Sequence, residues 1–429
     1  MMGSSLLQTD SPTMVSGNNS YNYAHNSSAQ VTKPEETEYS YSFFFSLSVA
    51  NSTILLLKNR SISTTRVVTY LIIDLIPLTN NLVQRKMMDS VRPRTEELIA
   101  EKLDLERLLA AGGGNTFRVA DLGCSIGPNT FHNVEHIVQQ VRQKYNHMMM
   151  TSAAAASPSS APEFQVFFND QVNNDFNALF RSLPPERDYF AAGVPGSFHT
   201  RVFPNSSLHL AYSASSAHWL SRVPPEVVDR GSPAWNRGMI HYGSAPKPVE
   251  DAYRAQFRKD MGGFLRARSE ELVSGGMLVL VFPGLPDGML HSETQAGSVI
   301  YCVNLSILDL VRQGVLEEDQ LDNFNLPIYF PHPWEMRELV EENQCFSCIE
   351  LEVVSPESTW LQQGGVGLRG WAVAMRAGME ELFARHFGGE EILDRIFDGA
   401  SQKIAERAEV IMNTKCKELP LLYVALQRK

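Results

Sequence analysis

The stretch Arg118–Thr130, RVADLGCSIGPNT, combines the end of a strand, a glycine-containing turn and the start of a helix. Asp121 closes the predicted strand, Gly123 and Gly127 bracket a tight turn, and Pro128 presets the backbone for the first helical turn. A strand, a turn and a helix in this order form the unit that binds nucleotides at the edge of a parallel sheet. The stretch therefore predicts an α/β fold with a ligand at the carboxyl end of this strand.

The spacing of the glycines limits which nucleotide is expected. G-x-x-x-G differs from the G-x-G-x-x-G of dinucleotide-binding proteins, and the lysine of a P-loop is missing. A second β-rich run, residues 164–168, ends in Asn169 and Asp170. A carboxylate at the end of the neighbouring strand is well placed for ribose hydroxyl groups. We therefore expect an adenosyl ligand without a diphosphate, with S-adenosylmethionine as the leading candidate.

Two other interpretations apply to the same residues. GCSIG, residues 123–127, also matches the G-x-S-x-G turn of serine hydrolases, with Ser125 as the nucleophile. In these hydrolases the serine is followed along the chain by an acidic residue and then by a histidine, which could be His332 or His386. However, no HGGG-type oxyanion segment lies nearby. The second alternative is a structural turn without any ligand.

Composition excludes several classes of partner. The chain has 429 residues, of which 43% are hydrophobic and 20% charged, enough for one large domain or two smaller ones. A net charge of −11 without a basic block argues against nucleic acid or an anionic membrane as the main partner. Five cysteines, an odd number, suit a reducing compartment, and we expect a cytoplasmic protein.

Strand and helix patterns alternate from Arg85 to the end of the chain, which predicts a mostly parallel sheet with helices on both faces. Additional helices between strands predict a cap over the carboxyl ends of the sheet. One helix is predicted within 87–109, after Pro93. Further helices are predicted near 249–272, 296–312, 333–342, 370–386 and 391–412, and strands near 277–282, 347–354 and 419–426.

Several long motifs in order resemble the plant SABATH methyltransferases. They are RVADLGCSIGPNT, FFNDQVNNDFNALFRSLP, YFAAGVPGSFHTRVFPNSSLHL, FLRARSEELVSGG and LDNFNLPIYFPHP. The motif FFND…NNDFN is similar to the corresponding sequence of the members called farnesoic acid and paraxanthine methyltransferases. The resemblance implies a Rossmann-like methyltransferase sheet with an α-helical cap, acting as a homodimer. It implies methyl transfer from S-adenosylmethionine to the carboxylate of a small acid, or alternatively to a nitrogen of a xanthine-like heterocycle.

The resemblance also implies the site residues. Cofactor contacts are implied for Tyr23, Cys124, Asn129, Asp170, Gln171, Ser197 and Phe198, with Asp121 supporting the turn. Substrate contacts are implied for Gln30, His218, Trp219 and Tyr329, with Gln30 and Trp219 holding the carboxylate through side-chain N–H groups. A magnesium site is implied for Asn236, Asp322, the carbonyl of Phe324 and Asn325, which are oxygen ligands of the kind magnesium prefers. No catalytic acid or base is implied, because a carboxylate is already ionised at neutral pH.

The resemblance divides the chain into three segments. Residues 1–30 are a substrate- and cofactor-contacting segment, 31–84 an atypical insertion, and 85–429 the methyltransferase domain with its cap. The insertion opens with Val31 and closes with Gln84, whose codons are compatible with the ends of an intron. We therefore interpret it as a translated, unspliced intron or a gene-model error. A genuine insertion that binds a membrane or a partner is the alternative, and an inactive product is a further possibility. Ser215 and Pro283 depart from the family pattern, and the identity of the acid stays open.

Overall fold

The structure, a computed structural model, describes residues 84–111, 115–151, 161–355, 367–417 and 419–429. Tyr23 and Gln30 lie outside the described residues, as does the predicted 31–84 segment apart from Gln84.

The described chain alternates strands with helices, as the sequence predicts. A helix over residues 84–102 (α1) and a short helix, Leu105–Ala111 (α2), precede the sheet. The strands are β1 (Thr116–Leu122), β2 (Glu163–Asp170), β3 (Phe190–Pro195), β4 (Leu208–Ala214), β5 (Leu272–Pro283), β6 (Phe346–Val354) and β7 (Leu421–Arg428). The remaining α-helices are α3 (Pro128–Thr151), α4 (Phe176–Arg181), α5 (Lys247–Glu271), α6 (Gln295–Arg312), α7 (Glu318–Asp322), α8 (Pro333–Asn343), α9 (Gly367–Phe387), α10 (Glu390–Glu406) and α11 (Ala408–Met412).

The strands form one sheet in the order β3-β2-β1-β4-β5-β7-β6. Strands β1 to β5 pair in parallel, whereas β7 is antiparallel to both β5 and β6. The strand order reverses between β1 and β4, because β2 and β3 lie on the other side of β1. Ligands of such sheets bind outside the carboxyl ends of the strands at this point of reversal. The α/β fold with a mostly parallel sheet is therefore confirmed.

Both faces of the sheet are buried. On β5, Val279 and Val281 belong to an apolar core shared with α1 and α3, whereas Leu278 and Leu280 belong to a second core shared with α5 and α6. This division follows from the pleat of a strand, which points successive side chains to opposite faces. Coverage on both sides explains why the central strands read as continuous apolar runs.

The helical cap contacts the carboxyl ends of β4 and β5. In the chain, α6 to α8 lie between β5 and β6, and α9 to α11 lie between β6 and β7. The backbone N–H of Leu220, after β4, donates to Pro327 O at 2.8 Å, and that of Leu285, after β5, donates to Pro331 O at 3.0 Å. The predicted position of the cap is confirmed, and the segment 327–331 joins it to the ligand-binding edge.

Several element bounds differ from the prediction. β5 begins at Leu272 rather than near residue 277. The first helix already includes residue 84 and continues through Pro93, rather than starting after it. Pro93 is exposed, so water can satisfy the carbonyl group that proline leaves without a donor. The predicted helix at 391–412 is interrupted at Arg407, which separates α10 from α11.

Candidate functional site

The turn after β1 brings backbone close to the carboxyl ends of two neighbouring strands. The N–H groups of Gly123 and Cys124 both donate to Asn169 O in β2, at 2.8 and 3.0 Å. Gly123 has a φ of +82°, in the left-handed region that favours glycine. A Cβ at this position would overlap the hydroxyl of Ser216, which follows β4. The turn therefore requires glycine for its backbone angle and for its close approach to β4.

Asp170 ends β2 beside this turn. Its carboxylate accepts the N–H of Ser125 at 2.6 Å and that of Gln171 at 2.7 Å. Burial raises the pKa of Asp170 to about 6, and the two N–H donors oppose part of this rise. The structure thus brings Cys124, Asp170 and Gln171 together at one edge, as the sequence predicts.

Asp121 has a different environment at the end of β1. It is buried and accepts a hydrogen bond from the hydroxyl of Thr130 in the first turn of α3. Burial raises its pKa to about 7, the hydroxyl lowers it, and the nearby carboxylate of Asp170 raises it further. Asp121 therefore ties the strand to the helix across the turn. Its bond to Thr130 agrees with the supporting role that the resemblance implies.

The loop that carries Ser197 and Phe198 lies against the same edge. The N–H of Gly196 donates to Asp170 O at 2.8 Å, and the side-chain amide of Asn169 donates to Gly196 O at 2.9 Å. The ring of Phe198 packs edge-on against Phe264 of α5, with centroids 5.9 Å apart. β2 thereby positions the loop that follows β3.

Asn129, in the first turn of α3, donates from its side-chain amide to Gln84 Oε1 at 3.3 Å. Its position next to the glycine turn agrees with the implied cofactor contact. The pair also brings the start of α1 to this edge.

His218 and Trp219 follow β4 at the point where the strand order reverses. The N–H of Trp219 donates to Ser216 O at 3.1 Å, and Trp219 forms an isolated antiparallel bridge with Ile328. His218 O accepts the N–H of Tyr329 at 2.9 Å. Ser216 also donates its hydroxyl to Gly123 O at 3.0 Å, so one residue joins the glycine turn to the Trp219 segment.

Tyr329 lies deeper than a pocket residue is expected to lie. It is 1% exposed, and its hydroxyl donates to the carboxylate of Glu335 at 3.0 and 3.2 Å. Glu335 also pairs with Arg254 at 3.1 Å. These bonds give Tyr329 a structural role beneath His218, and its contact with substrate stays a prediction.

The residues implied for magnesium lie close together but bind one another. Asn236 Nδ2 donates to Asn325 Oδ1 at 2.6 Å, and Asp322 accepts the N–H of Gly238 at 2.9 Å. The ring of Phe324 packs on Phe383, with centroids 4.9 Å apart. Among the described residues, no group of three or more His, Cys, Asp or Glu side chains is arranged to hold a metal ion.

The histidines that the serine-hydrolase interpretation requires bind elsewhere. His332 Nδ1 pairs with Pro286 O at 2.9 Å, and His386 Nε2 pairs with Gln320 O at 2.6 Å. Ser125 instead contributes backbone atoms, because its N–H binds Asp170 and its carbonyl accepts the Asn174 amide at 3.2 Å. Neither His332 nor His386 therefore forms a Ser-His pair with Ser125 in the described part of the chain.

Two further groups that the sequence analysis did not identify support the site. Arg268 and Glu271, at the end of α5, form a fully buried ion pair at 2.7 Å. Arg268 also donates to Phe198 O at 2.9 Å. The second group is Asn169 in β2, whose side-chain amide donates to Val194 O and Gly196 O and so holds the loop after β3. The sequence signal was only an arginine followed by a glutamate three residues later, and nothing local indicates the partners about seventy residues away.

Comparison with known proteins identifies the family. Residues 78–429 match the family model described as SAM dependent carboxyl methyltransferase. The chain belongs to this family. Loganic acid O-methyltransferase of Catharanthus roseus is 42% identical, over 82% of this chain and 91% of that protein. The solved structure titled loganic acid methyltransferase with SAH has a TM-score of 0.77 and 36% identity, and it covers 97% of this chain and 99% of that chain.

The relatives include a farnesoic acid and a paraxanthine methyltransferase, the two members that the motif FFND…NNDFN resembles. Farnesoic acid carboxyl-O-methyltransferase of Arabidopsis thaliana is 41% identical, over 63% of this chain and 74% of that protein. Paraxanthine methyltransferase 2 of the same organism is 36% identical, over 77% of this chain and 90% of that protein. The predicted SABATH family is confirmed. The chain is an S-adenosylmethionine-dependent carboxyl methyltransferase that converts a carboxylate to its methyl ester. No helix within the described ranges has the length and hydropathy needed to cross a membrane.

Proposed function

We propose that the acid is a small plant carboxylic acid held next to Trp219, with S-adenosylmethionine lying across the Gly123 turn. The observation that carries this proposal is the meeting of three strand ends. The turn after β1, the carboxylate of Asp170 after β2 and the Trp219 segment after β4 are joined by direct hydrogen bonds. A cofactor and an acid bound at this edge would be neighbours.

The proposed cofactor contacts follow from donor and acceptor chemistry. The Asp170 carboxylate, whose two N–H partners fix its orientation, is proposed to accept ribose hydroxyl groups. The absence of a Cβ at Gly123 lets Ser216 pack against the turn, which holds the backbone beside the proposed cofactor position. The other proposed contacts are Tyr23, Cys124, Asn129, Gln171, Ser197 and Phe198.

The protein is proposed to promote the reaction mainly by positioning the acid and the cofactor relative to each other. Bound S-adenosylmethionine supplies a methyl carbon that a carboxylate oxygen attacks, and the sulfur leaves with the bonding electron pair as S-adenosylhomocysteine. A free carboxylic acid has a pKa of roughly 4, so the nucleophile is ionised without a general base. The Trp219 and Gln30 N–H groups are proposed to hold its oxygens about 3 Å from the methyl carbon, which is the main source of rate in such a reaction.

The direct test uses S-adenosylmethionine with a labelled methyl group and a panel of plant carboxylic acids together with xanthines. The expected product is a labelled methyl ester that alkaline hydrolysis destroys. Label found only on a xanthine nitrogen would instead support the heterocycle alternative, because an N-methyl group survives the same hydrolysis.

Trp219→Phe is expected to lower kcat/KM for the acid by roughly 10- to 150-fold. The phenyl ring keeps the packing against the apolar core but lacks the N–H donor, and a hydrogen bond to a charged group contributes about 1.5–3 kcal/mol. The Kd for S-adenosylmethionine should stay within about twofold, because the donor contacts only the acid. Trp334→Phe, on the outer side of α8, is the matched control and should retain full activity. Equal losses in the two variants would contradict the assignment.

Cofactor binding is expected to weaken in acid because of Asp170. Its pKa is raised to about 6, so below that pH the carboxylate becomes protonated and no longer accepts hydroxyl donors at full strength. We expect the Kd for S-adenosylmethionine to rise by up to about tenfold per pH unit below pH 6. The pKa of the nearby Asp121 is raised to about 7, so its protonation could also affect binding. Asp121→Asn is the control variant, and its Kd for S-adenosylmethionine should still rise below pH 6. A flat profile between pH 5 and 8 in the wild-type protein would argue against this role.

Magnesium at the Asn236 group stays a proposal for a structural ion. The buried Asn236 Oδ1 has no hydrogen-bond partner among the described residues, and Asp322 adds a carboxylate, so oxygen ligands are present. Asn325 Oδ1 is engaged by Asn236, so the amide of Asn325 would have to exchange partners when the ion binds. Adding magnesium to chelator-treated protein and following the melting temperature tests this proposal.

We propose further that residues 31–84 are an insertion relative to the family. The family match begins at residue 78, so the last residues of this segment already resemble the family. Transcript reads that join the codon of Gln30 to that of Arg85 would support a retained intron, and their absence would support a genuine insertion.

A cytoplasmic location and a homodimer are also proposed. No disulfide joins the cysteines of the described structure, as a reducing compartment would have it. Light scattering on the purified protein tests the dimer.

A further inference from the structure

Asp260, near the middle of α5, is a buried carboxylate that the proposed chemistry does not use. Its residue is 8% exposed. Burying a charged group is costly unless hydrogen bonds satisfy its oxygens. The protein must therefore supply donors to this carboxylate, and the identity of these donors shows which segment Asp260 holds.

Three donors meet the carboxylate of Asp260, and two of them belong to Ser221. Asp260 Oδ2 accepts the backbone N–H of Ser221 at 2.8 Å, and Oδ1 accepts its hydroxyl at 2.8 Å. The third donor is the side-chain amide of Gln256, which lies 2.8 Å from Oδ1. Gln256 Oε1 in turn accepts from Arg222 Nε at 3.3 Å. Two residues of α5 thus bind two consecutive residues of the loop that follows β4.

This loop carries the proposed acid-binding residue, Trp219. Ser221 is the second residue after Trp219, so Asp260 fixes one end of the segment. Ser216 fixes the other end, because its hydroxyl donates to Gly123 O at 3.0 Å and its carbonyl accepts the N–H of Trp219 at 3.1 Å. The Trp219 segment is therefore held between the glycine turn and α5.

The same face of α5 also holds the loop that follows β3. The ring of Phe264 packs on that of Phe198, and Arg268 donates to Phe198 O at 2.9 Å. A Cβ at Gly263 would lie 3.2 Å from a backbone oxygen of this loop, so the loop lies directly on the helix. Spacings of three and four positions place these residues and Asp260 on one helical face. A single helix therefore sets the spacing between the proposed acid-binding segment and the proposed cofactor loop.

We propose that Asp260 is a positioning residue for methyl transfer, which holds the Trp219 segment at a fixed place relative to the cofactor loop on α5. This inference rests on the proposed function, in which Trp219 holds the carboxylate of the acid. Asp260 itself contacts neither the acid nor the cofactor in this arrangement. Without Asp260, the acid would move relative to the methyl carbon, and a displacement of about 1 Å lowers the rate of such reactions roughly hundredfold.

Asp260→Ala is the first variant of the test. It removes all three hydrogen bonds and is expected to lower kcat/KM roughly hundredfold, with a fall in kcat as well as a rise in KM for the acid. The assay uses labelled S-adenosylmethionine with the panel acid that wild-type protein methylates fastest. Calorimetry should still count one S-adenosylmethionine site per chain, with a Kd near that of the wild type. A merely structural loss would instead reduce the number of sites and leave KM for the acid unchanged.

Exchanging donor and acceptor tests the hydrogen bonds themselves. Asp260→Asn places an N–H group opposite the Gln256 amide, and turning that amide only moves the mismatch to Arg222. Adding Gln256→Glu restores every pair, because position 256 then accepts from both neighbours. We expect Asp260→Asn to lower kcat/KM about tenfold and the combined variant to recover most of this loss. These two variants carry the test if Asp260→Ala does not fold.

Asp251→Ala is the matched control on the same helix. The side chain of Asp251 is 50% exposed, and its bonds to Lys247 at 2.7 Å and Arg254 at 3.0 Å stay within α5. This variant should leave kcat and KM for the acid unchanged.

The outcomes separate this inference from the proposed function. Wild-type kcat and KM in folded Asp260→Ala, or a defect limited to the number of cofactor sites, would overturn the role of Asp260 alone. A combined variant no faster than Asp260→Asn would do the same. Wild-type protein that binds the cofactor but methylates no acid of the panel would contradict the proposed function and the inference with it.

Discussion

Arg268→Ala is expected to lower the free energy of unfolding by about 3–5 kcal/mol, because it leaves the buried carboxylate of Glu271 without its partner. Both side chains are fully buried, and Arg268 Nε donates to Glu271 Oε2 at 2.7 Å. The two remaining guanidinium nitrogens donate to Phe198 O and Thr200 O, each at 2.9 Å. Glu271 accepts the N–H of Val202 at 2.7 Å. The pair therefore holds both sides of the loop that follows β3.

A second effect of Arg268→Ala is expected on cofactor affinity. The loop that the pair holds carries Ser197 and Phe198, the proposed cofactor contacts, so the Kd for S-adenosylmethionine should rise even where the variant is still folded. Urea unfolding and calorimetry at a temperature below the transition separate these two effects.

An exposed ion pair in the same region is the control for this prediction. Arg201 and Glu270 pair at 2.9 Å, but their side chains are 43% and 51% exposed. Arg201→Ala should cost less than about 1 kcal/mol, because water screens such pairs. Similar losses in Arg201→Ala and Arg268→Ala would contradict the anchoring role of the buried pair.

Gly123→Ala is expected to reduce kcat/KM by roughly hundredfold or more, since small displacements of reacting groups have effects of this size. The left-handed backbone angle of +82° disfavours alanine by about 1–2 kcal/mol. The added methyl group would also displace the hydroxyl of Ser216. Because Ser216 O accepts the N–H of Trp219, the displacement would reach the proposed acid site as well as the cofactor turn.

Gly238→Ala distinguishes the backbone effect from the steric effect. Gly238 has a φ of +68°, but no atom lies within 4 Å of a Cβ at this position. This variant should lose some stability while its activity stays near that of the wild type. If Gly123→Ala behaves in the same way, the close approach between β1 and β4 is not needed for the reaction.

Local sequence patterns were sufficient to predict the central βα unit. The apolar run before Asp121, the glycine turn and Pro128 at the first helical position involve interactions within a few residues. α3 begins at Pro128 as predicted, and β1 ends at Leu122, one residue after the predicted end. The cap helices were predicted for the same reason, because each carries its own apolar periodicity. The family motifs identified Asp170 and Trp219, which the fold brings to one edge.

Contacts between distant parts of the chain explain what the sequence could not predict. The partners of Arg268 lie about seventy residues earlier, and no local pattern predicts that pairing. The hydrogen bond from Tyr329 to Glu335 was not predicted either, and the contact of Tyr329 with substrate stays a prediction.

The central claim is that the edge formed by Gly123 and Asp170 binds S-adenosylmethionine, and titration calorimetry tests it most directly. Wild-type protein should bind S-adenosylmethionine at one site per chain, and Asp170→Asn should bind it at least about tenfold more weakly, because it loses a charged hydrogen-bond acceptor. Asp175→Asn, which changes only the N-cap of α4, should match the wild type. No heat from folded wild-type protein, or equal affinity in Asp170→Asn, would contradict the account.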